Sequence, residues 1–67
     1  MSISTVLVDD VYAALSETEG RKPVEIRHRV GRGAVRTIRL ALMELVDDGR
    51  ADFDGHDGSR LYRRATS

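Results

Sequence analysis

A small α/β domain, with a three-helix core plus a two-stranded antiparallel hairpin, is the fold that this sequence predicts. Three observations carry it. Apolar residues recur at helical spacing in three successive stretches. Glycine-containing breaks separate those stretches. After the third, two short β-prone runs flank a polar, glycine-rich loop. With 67 residues, the chain reads as a single domain over 1–67. A domain of this size buries only about 60% of the surface its unfolded chain exposes, so its core has to be compact.

The first stretch predicts a helix over 5–17. Val8, Val11, Tyr12 and Leu15 fall on one face. Ser4 or Thr5 can cap its start, Asp9 and Asp10 suit the positive end of its dipole, and Gly20 lies past its end. The second helix is expected over 23–30. Pro23 suits a first turn, and Ile26 and Val30 form a buried pair four residues apart. Gly31-Arg32-Gly33 ends it. The third and longest helix is expected over 34–48. At 100° per residue, Val35, Ile38, Leu42, Leu45 and Val46 lie within about 60° of one line, which is a core stripe. Arg36, Thr37, Leu40, Glu44 and Asp47 point away from it, and Gly49 ends it. The hairpin is expected over 50–64, with strands near Arg50 to Phe53 and Arg60 to Arg64. Such short strands must pack on the helices, and Leu61 is expected in the shared core. Ala65, Thr66 and Ser67 read as a frayed end.

Composition excludes several chemistries. The absence of cysteine removes disulfides, thiolate catalysis and thiolate metal sites. His28 and His56 have no ligand-like spacing. No metal or cofactor is expected. Serines occur only near the ends, at Ser16 and in the hairpin loop, and the Asp9-Asp10 and Asp47-Asp48 pairs read as helix-end charges, so an enzyme is not expected. No apolar run approaches the roughly 18–20 residues that cross a bilayer, and Met1 to Thr5 have no basic region or signal-peptide character, so no signal segment is expected. The expectation is a soluble cytoplasmic protein without a membrane partner.

The net charge is zero, but it is unevenly placed. Residues 1–20 carry only acids. Residues 21–39 carry Arg21, Lys22, Arg27, Arg29, Arg32, Arg36 and Arg39 against Glu25. Acids return over 44–57, and Arg60, Arg63 and Arg64 close the chain. Local basic patches of this kind can dock a phosphate backbone even on a neutral chain.

A short helix, a tight turn and a third helix satisfy the spacing of a helix-turn-helix. In that geometry the third helix enters the major groove of duplex DNA, with its N-terminal half facing the bases. Arg36 and Thr37, angled away from the core, are the expected base readers, with Leu40 one turn beyond. Arg39 borders the core stripe and is expected on phosphate, as is Arg32 in the turn. Arginine suits both tasks, because its planar fork matches a phosphate or the O6 and N7 of guanine. In the hairpin loop, Arg60, Ser59 and His56 can reach the backbone beside that groove, while Asp54 and Asp57 oppose a close approach of the tip. Arg63 and Arg64 are expected either on phosphate or in salt bridges.

Taken together, these segments resemble the winged helix-turn-helix superfamily of small prokaryotic and phage DNA-binding regulators, over about Val8 to Arg64. Val11-Tyr12-Ala13-Ala14-Leu15 resembles its first helix. Pro23-Val24-Glu25-Ile26 through Val30-Gly31 resembles its second helix and turn. Leu42 to Gly49 resembles the Leu-x-x-Leu-x-x-x-Gly end of its recognition helix, and Gly58 to Arg63 its wing. Gly31-Arg32-Gly33-Ala34 departs from the pattern, since a small polar residue often opens the recognition helix. The resemblance implies sequence-specific double-stranded DNA binding and transcription regulation. A two-fold homodimer, joined through Ile3, Val6 and Leu7, is the expected assembly. The alternative is a protein-interaction or assembly module that uses an apolar patch of Ile3, Val6, Leu7, Leu40 and Met43. Single-stranded RNA binding is disfavoured, because aromatics for stacking are scarce.

Overall fold

A computed structural model describes residues 4–56 and 59–65. It has the expected order: α1 (Thr5–Ala13), α2 (Pro23–Val30), α3 (Val35–Asp47), β1 (Ala51–Asp54) and β2 (Leu61–Arg64). The three helices and the antiparallel hairpin pack as one small α/β domain, an arrangement compatible with a winged helix. Expectations that fall on Ile3, Asp57, Gly58, Thr66 and Ser67 lie outside the described residues.

The core follows the predicted stripes. Ile38, Ala41, Leu42 and Leu45 of α3 are fully buried against Val8, Val11 and Leu15 from the first segment and Ile26 of α2. Val30, Val35 and Val46 are half-buried at its margin. Helix α3 stops where the sequence says it should. Gly49 adopts φ 75°, its N–H donates to the carbonyl of Val46 at 3.0 Å, and that of Arg50 donates to Leu45 at 2.8 Å. This pair of bonds is a Schellman motif, which needs the left-handed residue that glycine supplies without a Cβ penalty. At the other end, Ala34 occupies the N-cap and provides no side-chain bond, as the departure at 31–34 implies. Ser4 likewise precedes α1 without a side-chain cap.

The first turn of α1 holds neither the expected cap nor Asp9 and Asp10, which fall in its middle instead of at the positive end of its dipole. Two further expectations are corrected. Helix α1 ends at Ala13, not near Glu17. The hydroxyl of Ser16 accepts the backbone N–H groups of Thr18 and Glu19, both at 3.1 Å, which offers the backbone a turn in place of further helix. Leu15 keeps its buried place although it lies beyond the helix. Gly20 is therefore not a helix cap. Its role is clearance: a Cβ there would stand 2.6 Å from the Cβ of Leu61.

The second correction is the phase of β2. Tyr62 is the buried residue, 5% exposed, whereas Leu61 is 39% exposed. Successive strand residues face opposite sides, so only one of two adjacent apolar residues can enter the core. The register pairs Phe53 with Tyr62 and Ala51 with Arg64, placing these four on the helix side. Asp52, Asp54, Leu61 and Arg63 take the other side, where Arg63 and Asp54 approach to 3.6 Å. On its free edge Tyr62 exchanges backbone bonds of 2.9 and 2.8 Å with Arg21, so the segment before α2 acts as a third, one-residue strand.

These positions can be checked by urea denaturation. Leu42→Ala removes a fully buried side chain and should cost about 2–5 kcal/mol, out of a total of roughly 3–10 kcal/mol for a domain this small. Leu61→Ala should cost about 1 kcal/mol or less, as expected for a partly exposed site. Gly20→Ala should destabilise by about 1–3 kcal/mol through overpacking. Combining it with Leu61→Ala should not relieve the loss, because the conflict is between Cβ atoms.

Candidate nucleic-acid interface

Helices α2 and α3 are joined by the turn over residues 31–34. Gly31 N–H donates to the carbonyl of Arg27 at 2.9 Å, and the Arg27 guanidinium Nε donates to the carbonyl of Gly33 at 2.9 Å. One arginine thus spans the turn from end to end and fixes how α3 leaves it. Since the inner face of α3 is filled by its own core residues, its outer face is set by helical geometry. Arg36, Leu40, Met43 and Asp47, spaced four, three and four residues apart, share that face.

The predicted contact residues fall into three settings. Arg36, Arg39 and Leu40 are exposed on the first two turns of α3, while Thr37 is half-buried on one flank. Arg32, in the turn, forms a close ion pair with Asp10 of α1. Arg60, just before β2, is half-buried with its guanidinium 4.4 Å from the ring centre of Phe53. Arg60 and Phe53 line a cleft of about 160 Å³ with Met43, Val46, Asp47 and Tyr62. The hairpin therefore borders the outer face of α3 at Met43, and Arg36, Leu40, Met43 and Arg60 follow one another along one side. Arg32 is drawn toward α1 instead.

Most other cations are committed to the scaffold. Arg21 donates to the carbonyl of Ala14 at 2.8 Å and approaches Glu19 and Glu25. Arg64 donates to the carbonyls of Tyr12 and Ala13 at 3.2 and 3.3 Å. Arg50 and Arg64 both lie over the Tyr12 ring, at 4.5 and 4.9 Å. Arg29 pairs with Glu25, and Arg63 with Asp54. Among the described residues, Arg36, Arg39 and Lys22 have neither an ion pair nor a side-chain hydrogen bond.

Acids collect elsewhere. Asp9, Glu44, Asp47 and Asp48, with Thr5, Val8 and Arg50, line a cleft of about 510 Å³ between α1 and the far end of α3. Helix α3 thus changes sign along its length: its first two turns carry arginines and no carboxylate, and its last turn faces an acidic cleft. Sequence reading found this gradient. It missed the Asp10–Arg32 pair and the Phe53 ring beneath Arg60, since neither contact has a local sequence signal.

No protein-family model matches the chain, and no curated protein sequence matches it. The described residues contain no helix long and apolar enough to cross a membrane.

The division of arginines into two kinds predicts their effects on stability. Arg36→Ala and Arg39→Ala should leave the folding free energy within about 0.5 kcal/mol of the parent, as for surface positions without partners. Arg64→Ala should cost about 1–3 kcal/mol, because the last carbonyls of α1 lose a charged donor and Tyr12 loses one of the two guanidinium groups over its ring. Chemical denaturation of the three variants checks the split.

Proposed function

We propose that this chain binds double-stranded DNA in a sequence-specific manner and acts as a transcription regulator of winged helix-turn-helix type. The observation that carries the reading is the outer face of α3: Arg36 and Arg39 stand exposed on its first two turns, without an intramolecular partner among the described residues and without a carboxylate beside them. In the proposed complex α3 lies in the major groove. Arg36 reads a base edge with Thr37 beside it, Arg39 contacts phosphate, and the hairpin lies along the adjacent backbone through Arg60. Arg32 joins as a phosphate contact by exchanging Asp10 for the stronger field of the duplex. The acidic cleft lies beyond the end of the contact region, since phosphates repel it.

Two copies per site are proposed, because one module covers only about 600–1,000 Å² of a DNA interface. Val6, 61% exposed, is the described residue of the expected contact that remains open, whereas Leu7 packs against the core. The second reading, a protein-interaction module, draws on a specific observation: Leu40, Met43 and Phe53 are exposed large apolar residues, and Met43 and Phe53 line one cleft.

A binding titration of duplex DNA over a salt series separates the two readings. The DNA reading requires a log–log salt dependence with a slope of about −0.9 per phosphate neutralised. Arg36→Ala should weaken a preferred site by about 1–3 kcal/mol and affect random duplex less. Arg60→Ala should weaken all duplexes alike and lower the slope by about one contact. Equal binding by parent and variants, or the absence of a salt slope, makes the interaction module the better account. Sedimentation with and without DNA tests the copy number, and a single copy per site rejects the dimer.

A further inference from the structure

The geometry points to thymine methyl groups as the partners of Leu40 and Met43, so that the preferred DNA site carries thymine within about three base steps of a guanine held by Arg36. The inference rests on the duplex-binding reading and goes beyond it by naming what the helix recognises. Leu40 and Met43 are 48% and 58% exposed, on a helix whose core positions Ile38, Ala41, Leu42 and Leu45 are completely buried. The monomer core therefore has no use for them. They lie four and seven residues after Arg36 on the same face. At 1.5 Å per residue those separations are about 6 and 10 Å along the helix. With base pairs about 3.4 Å apart, they match roughly two and three steps for a helix lying along the groove.

The chemistry of that face is selective. The major groove offers one apolar group, the C5 methyl of thymine, which an apolar side chain can cover. Leucine and methionine cannot bond to the exposed amino or carbonyl groups of the other bases, and they desolvate those groups without compensation. Asp47, one turn further along the same face, closes the contact region, because its carboxylate would meet phosphate. The readable stretch is thus Arg36 through Met43, with an arginine fork at one end and two methyl-sized contacts after it. DNA is favoured over a protein partner here because the apolar pair sits between Arg36 and Arg39, exposed on the α3 surface, and Arg60 on the hairpin side.

The test begins with selection of a preferred duplex from a randomised pool, using the full chain. Each thymine in that site is then replaced singly by deoxyuridine, which keeps the base pair and loses only the methyl. The expected result is a loss of about fourfold at one or two positions, the worth of burying one methyl-sized group. Leu40→Ala or Met43→Ala should bind the thymine and uracil duplexes equally at its own position, whereas Arg36→Ala should weaken both and keep their ratio. Both apolar residues are exposed, so the variants should fold, and far-ultraviolet circular dichroism verifies it. Leu40→Met should retain the discrimination. If a site is selected but every uracil duplex binds like its parent, or if the alanine variants keep the ratio, the methyl assignment is overturned and duplex binding stands. A pool that enriches no sequence while duplex binding persists also overturns it. If no duplex binds at all, both readings fail together. Dissociation of a homodimer by Leu40→Ala, with uracil tolerated throughout, would instead show that this face joins two copies.

Discussion

The last carbonyls of α1 are the point on which the architecture turns. The helix stops at Ala13, and apart from the Leu15 N–H that donates to Tyr12 at 3.1 Å its end would leave the carbonyls of Ala13 and Ala14 without donors. Arg64 reaches the carbonyls of Tyr12 and Ala13, and Arg21 reaches that of Ala14. These arginines come from the second strand and from the segment before α2. A two-stranded hairpin of four-residue strands has little stability alone. Here its return strand is fastened to α1 by Arg64 and to the α1–α2 connection by the Arg21–Tyr62 backbone exchange. Positive charge at a helix C-terminus also meets the negative end of the dipole, so the same contacts satisfy geometry and electrostatics together.

That fastening decides what α3 can present. Tyr62 closes one side of the core, Ala51 another, and α1 and α2 close the rest. With Ile38, Ala41, Leu42 and Leu45 enclosed, the helix has a single free face. Its composition then becomes informative, because nothing inside the domain requires an arginine at 36, a leucine at 40 or a methionine at 43. The proposed DNA contact uses this remainder. The hairpin contributes Arg60, held over Phe53 beside Met43, so the side chains at issue come from two elements whose relative placement is set by the α1 caps.

Local signals made much of this legible in the sequence. Helices α2 and α3 lie within one residue of their expected bounds, because periodic apolar stripes end at glycines that the turns require. In α3 the buried positions Ile38, Leu42 and Leu45 were readable from the stripe, whereas Ala41 was missed and Val35 and Val46 are only half-buried. What failed depended on competition between local and tertiary terms. The apolar period of α1 runs on to Leu15, yet the Ser16 hydroxyl captures the backbone donors of Thr18 and Glu19 and favours a turn over further helix. Leu61 and Tyr62 are adjacent, and either could have faced inward on pattern alone. The phase is set by the narrow passage at Gly20 and by the backbone exchange with Arg21, both more than forty residues away in sequence. Arg36 and Leu40 of the candidate face were legible from helical angle, but the flanks were read in reverse, since Thr37 is half-buried and Arg39 exposed; the tether of Arg32 to Asp10, twenty-two residues apart, was not legible.

Overall neutrality conceals this division of labour. Charges that hold the fold are paired or stacked: Arg21, Arg50 and Arg64 serve α1, and Arg27 serves the turn. Removing them from the count leaves a surface that is locally cationic at the start of α3 and acidic at its end. A field of that shape orients an approaching polyanion as well as attracting it, because rotating the helix end for end would bring Glu44, Asp47 and Asp48 against phosphate. The Asp10–Arg32 pair adds a further constraint. It is exposed on both sides, so it is worth about 1 kcal/mol or less, which is small enough for a phosphate to displace. In the proposed complex Arg32 exchanges this pair for a phosphate. On the duplex-binding proposal, the sign change along α3 favours one docking direction without any net positive charge.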